Sequence, residues 1–181
     1  MDYCNKIILK NGKECYLKSC RAKDGEAVLA GFLAMRSETD YLLTYVDENT
    51  FTIEREAEFL QAKFESKNEI EIGAFVDGKL VGTAGISSVG AYFKIKHRAD
   101  FGISVLKEYW GLGIGGALTD ACVECARKAG YTQLELSVVS ENESAVALYK
   151  KKGFIEYGRN PRGFNSRYSG YQELIMMSME L

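Results

Sequence analysis

One short stretch constrains this chain more than any other: a strand, a brief connection, a run of glycines and a helix. Phe101-Gly102-Ile103-Ser104-Val105 alternates as a strand does, and Leu106 to Tyr109 connect it to Trp110-Gly111-Leu112-Gly113-Ile114-Gly115-Gly116. The helical pattern Ala117–Ala129 follows at once. Glycines let backbone N–H groups converge without side-chain obstruction. A helix beginning there adds its unbonded N–H groups and the positive end of its dipole. The result is an anion site suited to a pyrophosphate. A tight turn with close helix–strand contact is the plain alternative, but four glycines between 111 and 116 exceed what such a turn needs.

Three ligand classes compete for this loop. A P-loop requires Gly-Lys-Ser/Thr after the glycines, and Gly115-Gly116-Ala117 lacks it. Gly111, Gly113 and Gly116 satisfy the dinucleotide string, with Glu135 placed as a ribose-binding acid would be, but Leu106 to Trp110 separate the glycines from their strand. The third class is acyl-coenzyme A.

The rest of the chain reads as mixed α and β around one twisted sheet. Strands are expected at Glu14–Arg21, Ile70–Val76, Lys79–Val89, Arg98–Val105, Gln133–Val139, Phe154–Tyr157 and Tyr171–Leu181. Asp77-Gly78 marks a hairpin, and Gly82 and Gly85 mark a bulge or a close approach. Helices are expected at Gly25–Met35, capped by Asp24, and at Phe51–Phe64, begun by Thr52. A further helix runs from an Asn142 cap to Lys152 and is ended by Gly153; Gly130 ends the one before it. Gly158 to Gly170 reads as a polar, aromatic connection.

Composition narrows the class. The 181 residues carry 23 bases and 25 acids, a net charge of -2, which disfavours an overall basic nucleic-acid binder. Five cysteines make no disulfide framework and suit a reducing cytoplasm. No signal-peptide pattern and no membrane-spanning run is visible. Charge is uneven: Ser37 to Asp77 hold 11 acids and 3 bases, a balance of -8. Such residues usually lie on solvated helix faces, and the functional alternative is a rim that attracts cations. Cys122-Val123-Glu124-Cys125 lies within a helix beside no other ligand pair and reads as core, so no metal is expected. Lys150-Lys151-Lys152 complements a helix C-terminus.

The glycine loop resembles that of the GNAT superfamily of N-acetyltransferases, whose Arg/Gln-x-x-Gly-x-Gly/Ala reads here Trp110-Gly111-Leu112-Gly113-Ile114-Gly115. A second block supports the resemblance: Asn142, Ala145, Leu148, Tyr149, Gly153 and Phe154 stand in the family's register. It covers roughly Glu14 to Leu181 in element order and is sharpest from Arg98 to Phe154. The resemblance implies an α+β domain over residues 1–181. Its single, mostly antiparallel sheet would have about seven strands, with helices on both faces and the fourth and fifth strands, Arg98–Val105 and Gln133–Val139, splayed.

The resemblance also implies roles. Acetyl-CoA would lie along the backbone of Ile103, Ser104 and Val105, with its phosphates at Trp110, Gly111, Leu112, Gly113, Ile114, Gly115 and Gly116. Val105 N–H would polarise the thioester carbonyl. Tyr149 would protonate the departing thiolate, and Asn142 would cap its helix and touch the pantetheine. Asp100 is the candidate base, with Glu71 and Glu173 behind it. Ser137 replaces the glutamate that ribosomal-type N-terminal acetyltransferases place five residues before the asparagine. Arg159, Arg162 and Arg167, among Phe164, Tyr168 and Tyr171, belong to a substrate-side loop rather than a nucleic-acid surface.

The expected activity is direct acetyl transfer to a small cationic amine, by a monomer or homodimer that binds neither nucleic acid nor membrane. A non-catalytic acyl-CoA-binding module and a protein N-terminal or lysine acetyltransferase are the alternatives, and a nucleotide-dependent oxidoreductase is a distant third.

Overall fold

Alternation and turn chemistry account for most of the architecture. The computed structural model describes residues 1–181. In chain order its elements are β1 (Cys4–Ile8), β2 (Glu14–Ser19), α1 (Gly25–Glu38), α2 (Ile53–Glu65), β3 (Ile70–Val76) and β4 (Lys79–Ser88). They continue as β5 (Arg98–Val105), α3 (Ile114–Lys128), β6 (Gln133–Val139), α4 (Glu143–Lys152), β7 (Ile155–Ser166) and β8 (Gly170–Glu180). The strands form one sheet in the order β1-β2-β3-β4-β5-β6-β8-β7. Only β5 and β6 run parallel.

The expected elements are present, with four differences. The sheet has eight strands: β1 adds an edge through Cys4↔Lys18 to Ile8↔Glu14, although its residues are largely exposed. The Gly158 to Gly170 stretch is not a connection, because most of it extends β7 against β8 as a long hairpin. Its register shifts between Asn160 and Phe164, around Pro161, which cannot donate to the ladder and is tolerated because β7 is an edge strand. Asp24 does not cap α1 with its side chain. Its carboxylate instead accepts from Lys18 Nζ at 2.7 Å and Arg21 N–H at 3.0 Å. Finally, α3 begins inside the glycine run, at Ile114 rather than Ala117.

Local signals explain the rest. Thr52 caps α2 by accepting from Arg55 N–H, and Asn142 caps α4 by accepting from Ala145 N–H. Asp77 and Gly78 both have positive φ, 51° and 80°, as a tight hairpin turn with right-handed twist requires. The bulge foreseen near Gly82 is present: Ala74 pairs with Gly82 and Phe75 with Leu80, leaving Val81 unmatched.

Helices cover both faces. On one, Val28 of α1 and Leu60 of α2 meet Cys20 and Leu80 in a small cluster. On the other, Ile114, Leu118, Ala121, Cys122 and Cys125 of α3 join the main core with Ile70, Ile72 and Ile86. All five cysteines are free thiols, and burial raises that of Cys122 far above its ordinary range. No helix is long and apolar enough to cross a membrane.

The α2 face also buries charge. Lys63 Nζ lies 3.0 Å from Glu71 Oε2, with both side chains 8% exposed. Glu56 is buried beside them, and its Oε1 has no hydrogen-bond partner. Burial, and then the Glu71 charge, raise the Glu56 carboxyl to about 7. The unfolded chain therefore loses this proton first as pH rises, so stability falls between about pH 4.5 and 7. Glu56→Gln removes that loss. At pH 8 the variant is expected to exceed the parent by on the order of 2–3 kcal/mol, and the difference should vanish below about pH 4.5. Urea denaturation across pH checks this, and a difference independent of pH would refute it.

Candidate active site

The site begins where β5 and β6 part. Their parallel ladder has three rungs, Arg98↔Gln133, Ala99↔Leu134 and Asp100↔Glu135, and then ends. On the other side, Val89 N–H donates to Arg98 O and Leu106 N–H donates to Val81 O. Antiparallel alternation between those bonds turns the N–H and C=O of Ile103 and Val105 away from β4 and into the gap. Ser104, between them, turns its peptide groups toward β4 instead, and its Oγ is buried without a partner. Likewise, Ser140 N–H to Glu173 O and Leu181 N–H to Thr132 O fix the phase of β6 against β8, leaving Ser137 and Val139 to face the gap. The gap is thus walled on both sides by peptide groups that no strand pairs, although Val139 O accepts from Asn142 N–H at the start of α4. Nothing local in the sequence marks Ser137 and Val139 as its second wall.

The glycine loop closes one end. Gly111 and Gly113 have φ of 75° and 104°, values at which a side chain would be strained. Gly113 is the N-cap of α3 and supplies no capping side chain. The first helical bond runs from Ala117 N–H to Gly113 O, so the N–H groups of Ile114, Gly115 and Gly116 have no helical acceptor. Gly115 serves a different need. A Cβ at Gly115 would crowd Leu148 at 3.3 Å, so its absence lets α4 approach α3, whereas one at Gly116 would meet Lys152 at an ordinary 3.5 Å. Trp110 turns back, its indole N–H donating to Val105 O at 2.7 Å. It therefore takes one of the two carbonyls that β5 presents to the gap.

Tyr149 lies on α4 beside the point of parting. Its ring meets Phe101, one residue beyond the last rung, edge-on at 6.2 Å, and Phe154 at 5.9 Å. Burial raises its phenol well above the ordinary range, so the hydroxyl keeps its proton. Gly153, at φ 98°, ends α4 and returns the chain to Phe154.

The three candidate bases differ in what holds them. Glu71 is bound to Lys63, and Glu173 accepts from Arg159 at 2.8 Å. Asp100 stands on the last rung and has no ion pair. The surrounding sheet, and secondarily the Glu135 carboxylate, hold its carboxyl above the usual range even though the residue keeps contact with solvent. Ser87 is its partner on β4. Beyond it, a Cβ on Gly102 would meet nothing within 4 Å, so the sheet surface next to Asp100 is open.

A cavity of about 490 Å³ lies at the open ends of β5 and β6, lined by Glu38, Asp40, Tyr41, Lys107, Trp110, Glu141, Tyr171 and Gln172 among others. The acidic segment beside it is not a bare wall. Asp40 Oδ2 accepts from Ser166, Ser169 and Gln172, while Tyr45 OH donates to its Oδ1. Asp47 and Glu48 pair with Arg167, whose guanidinium lies 4.4 Å from the Tyr45 ring centroid. Glu38 accepts from Lys107 N–H. The hairpin tip of β7 and β8 is thereby latched to the segment after α1. The arginines there are also occupied. Arg159 is held by Glu156 and Glu173, and Arg162 stacks over Tyr171 at 4.1 Å. Lys152 pairs with Asp120. No group of three or more His, Cys, Asp or Glu converges as a metal site would require.

A cradle of free helix N–H groups beside an open strand edge defines a coenzyme-binding α+β fold. The Acetyltransferase (GNAT) family model matches residues 36–154, and the chain belongs to that family. It is 37% identical over 105 residues to the N-alpha-acetyltransferase RimI of Mycobacterium tuberculosis, a match covering 58% of this chain and 63% of the relative. The curated relatives it matches are spanned over only 17% to 63% of their length. Among solved structures, a GNAT-family acetyltransferase from Streptococcus pneumoniae superposes with a TM-score of 0.87 at 29% identity, over 92% of this chain and 99% of that one. The Salmonella typhimurium yncA structure, which contains its cofactor acetyl-CoA, shares the fold with a TM-score of 0.81 at 15% identity, over 92% of this chain and 94% of that one.

Proposed function

We propose that this chain transfers an acetyl group from acetyl-CoA directly to the nitrogen of a small cationic amine. The observation that carries the reading is one juxtaposition: the strand gap lined by free peptide groups meets the uncapped N-terminus of α3 at one end and Tyr149 at the other. Free N–H groups at Ile114, Gly115 and Gly116, approached through Gly111, Leu112 and Gly113, suit a pyrophosphate. The N–H and C=O of Ile103 and the N–H of Val105 suit the amides of a pantetheine arm, whereas the peptide groups of Ser104 point the wrong way. Asn142 serves as the α4 cap and borders the same gap.

Acetyl-CoA supplies the activated acyl group, and the chain supplies orientation and proton traffic. Ile103 N–H, nearer the parting and Tyr149, and Val105 N–H beyond it are the donors offered to the acyl oxygen as charge gathers on it. Asp100 takes the proton that an ammonium must lose before it attacks, either directly or through a water. Tyr149 returns a proton to the sulfur. No thiol stands on a gap-facing strand position, which favours direct transfer over an acyl-cysteine.

For the acceptor, Glu38, Asp40 and Glu141 outnumber Lys107 around the cavity, which favours a cation. Asp47 and Glu48 are neutralised by Arg167 and Asp40 is saturated by neutral donors, which leaves Glu141, and Glu38 beside its bond from Lys107 N–H, to meet it. A second acceptor, the α-amine of a peptide, is favoured by the name of the RimI relative; Ser137 stands where that specialisation would carry a glutamate.

The test combines melting and turnover. Acetyl-CoA is expected to raise the melting temperature far more than NAD or ATP, since a ligand of the folded state stabilises it. An amine and peptide panel, read by thiol release, should then favour polyamine-like acceptors, with a preference that fades with salt and weakens in Glu141→Gln. A strong shift with NAD alone would overturn the coenzyme reading, and a preference for peptides would replace the small amine.

A further inference from the structure

We propose that Arg98 is a positioning residue for the transfer: its two-point clamp on Glu135 fixes where β5 and β6 part and shields Asp100 from a neighbouring negative charge. The proposal rests on the reading of Asp100 as the base. Arg98 Nε lies 3.0 Å from Glu135 Oε1, and a terminal guanidinium nitrogen lies 2.7 Å from Oε2. The Glu135 side chain is 9% exposed and that of Arg98 33%. A planar fork on a carboxylate sets distance and angle together, which a single ammonium contact does not. It crosses the two strands diagonally, from Arg98 on the first rung to Glu135 on the last, past which the ladder ends. The pair therefore braces the junction up to the rung from which the strands part.

The same rung places Asp100 directly opposite Glu135 on one face of the sheet. Two carboxylates in that relation repel. Arg98, two residues from Asp100 on the same face, reaches diagonally to Glu135 and leaves Asp100 without a cation. The other charged or titratable groups facing Asp100 are Lys63 of α2, itself bound to Glu71 of β3, and Tyr157 of β7; its β4 neighbour, Ser87, is uncharged. Of the three carboxylates on this part of the face, two have basic partners and one is free to take a proton. The clamp keeps Glu135 from raising the proton affinity of that free one beyond use.

The experiment is the pH dependence of kcat/KM for the best amine in the parent, Arg98→Met, Arg98→Lys, Glu135→Gln and Asp100→Asn, each checked for folding by thermal melting. The acid limb in the parent should vanish in Asp100→Asn. In Arg98→Met, where Glu135 is left bare, it should move up by about one pH unit; in Glu135→Gln, where the like charge is gone, it should move down. Arg98→Lys keeps the charge but loses the fork, so the limb should stay while the KM for acetyl-CoA rises several-fold. General loosening of the fold would not move the limb in opposite directions. If Arg98→Met does not fold, Glu135→Gln and Arg98→Lys carry the test. A limb abolished by Asp100→Asn but unmoved in the Arg98 and Glu135 variants overturns this proposal alone. A limb that survives Asp100→Asn overturns the base assignment and this proposal with it.

Discussion

Tyr149→Phe is expected to lower kcat by about 10²–10⁴-fold while leaving acetyl-CoA binding nearly unchanged, the usual loss when a positioned acid is removed. The substitution is clean here for a structural reason. The ring is held edge-on by Phe101 and Phe154, and phenylalanine keeps both contacts while deleting only the hydroxyl. Alanine would instead leave a cavity costing about 3–5 kcal/mol and confuse chemistry with folding. Because burial raises the phenol well above its ordinary range, the hydroxyl acts as a donor across the working pH range, never as a phenolate base. Thiol release at saturating amine, paired with calorimetric titration of the coenzyme, measures both halves. A kcat equal to the parent's would show that water, or another group, protonates the sulfur.

Gly113→Asp is expected to abolish measurable acetyl-CoA binding. Two effects act together. At φ 104° any side chain is strained, at a cost of about 1–3 kcal/mol. The new carboxylate also stands at the N-cap of α3, beside the N–H groups assigned to the pyrophosphate. Repulsion between unit charges about 4 Å apart is about 4 kcal/mol at an effective dielectric near 20, or roughly a thousand-fold in affinity. Gly113→Ala separates the terms, since it brings the strain without the charge and should bind with intermediate strength. The readout is the coenzyme-induced rise in melting temperature. An undiminished rise in Gly113→Asp would place the phosphates elsewhere.

What could be read in the chain beforehand was whatever is local. The glycine run, the Asn142 cap, the Gly153 stop and the Asp77-Gly78 turn each declare themselves within a few residues, and each is found in the structure. Elements that depend on a distant partner were harder. β1 is short and exposed, and it exists because β2 pairs with it. The far half of β7 is polar and interrupted by Pro161, so only its ladder with β8 makes it a strand. The acids of the segment after α1 looked like an open negative rim, because nothing nearby reveals that Arg167, 120 residues on from Asp47, returns to pair with them. Glu56 and Lys63 sit in a helix whose charges suit solvent, yet both are buried beside Glu71. Around the gap, the glycine run at the start of α3 and the position of Tyr149 on α4 could be placed from sequence. The separate orientation of Ser104, the wall formed by Ser137 and Val139, and the return of Trp110 to Val105 could not.

The three-rung junction between β5 and β6 also bears on solubility. A strand with unbonded N–H and C=O groups ordinarily invites another chain to add to it, and sheets protect their margins against this. Here such bare margins lie in the middle of the sheet, on the inner sides of a notch bounded by two strands that diverge from a common vertex. A polypeptide seeking to pair there would need to fit its own side chains above and below a wedge that narrows to nothing. A pantetheine arm, whose only branches are one gem-dimethyl group and one hydroxyl, carries far less of that bulk. The notch thus has the hydrogen-bonding groups of an edge strand without the open flank on which another strand could lie.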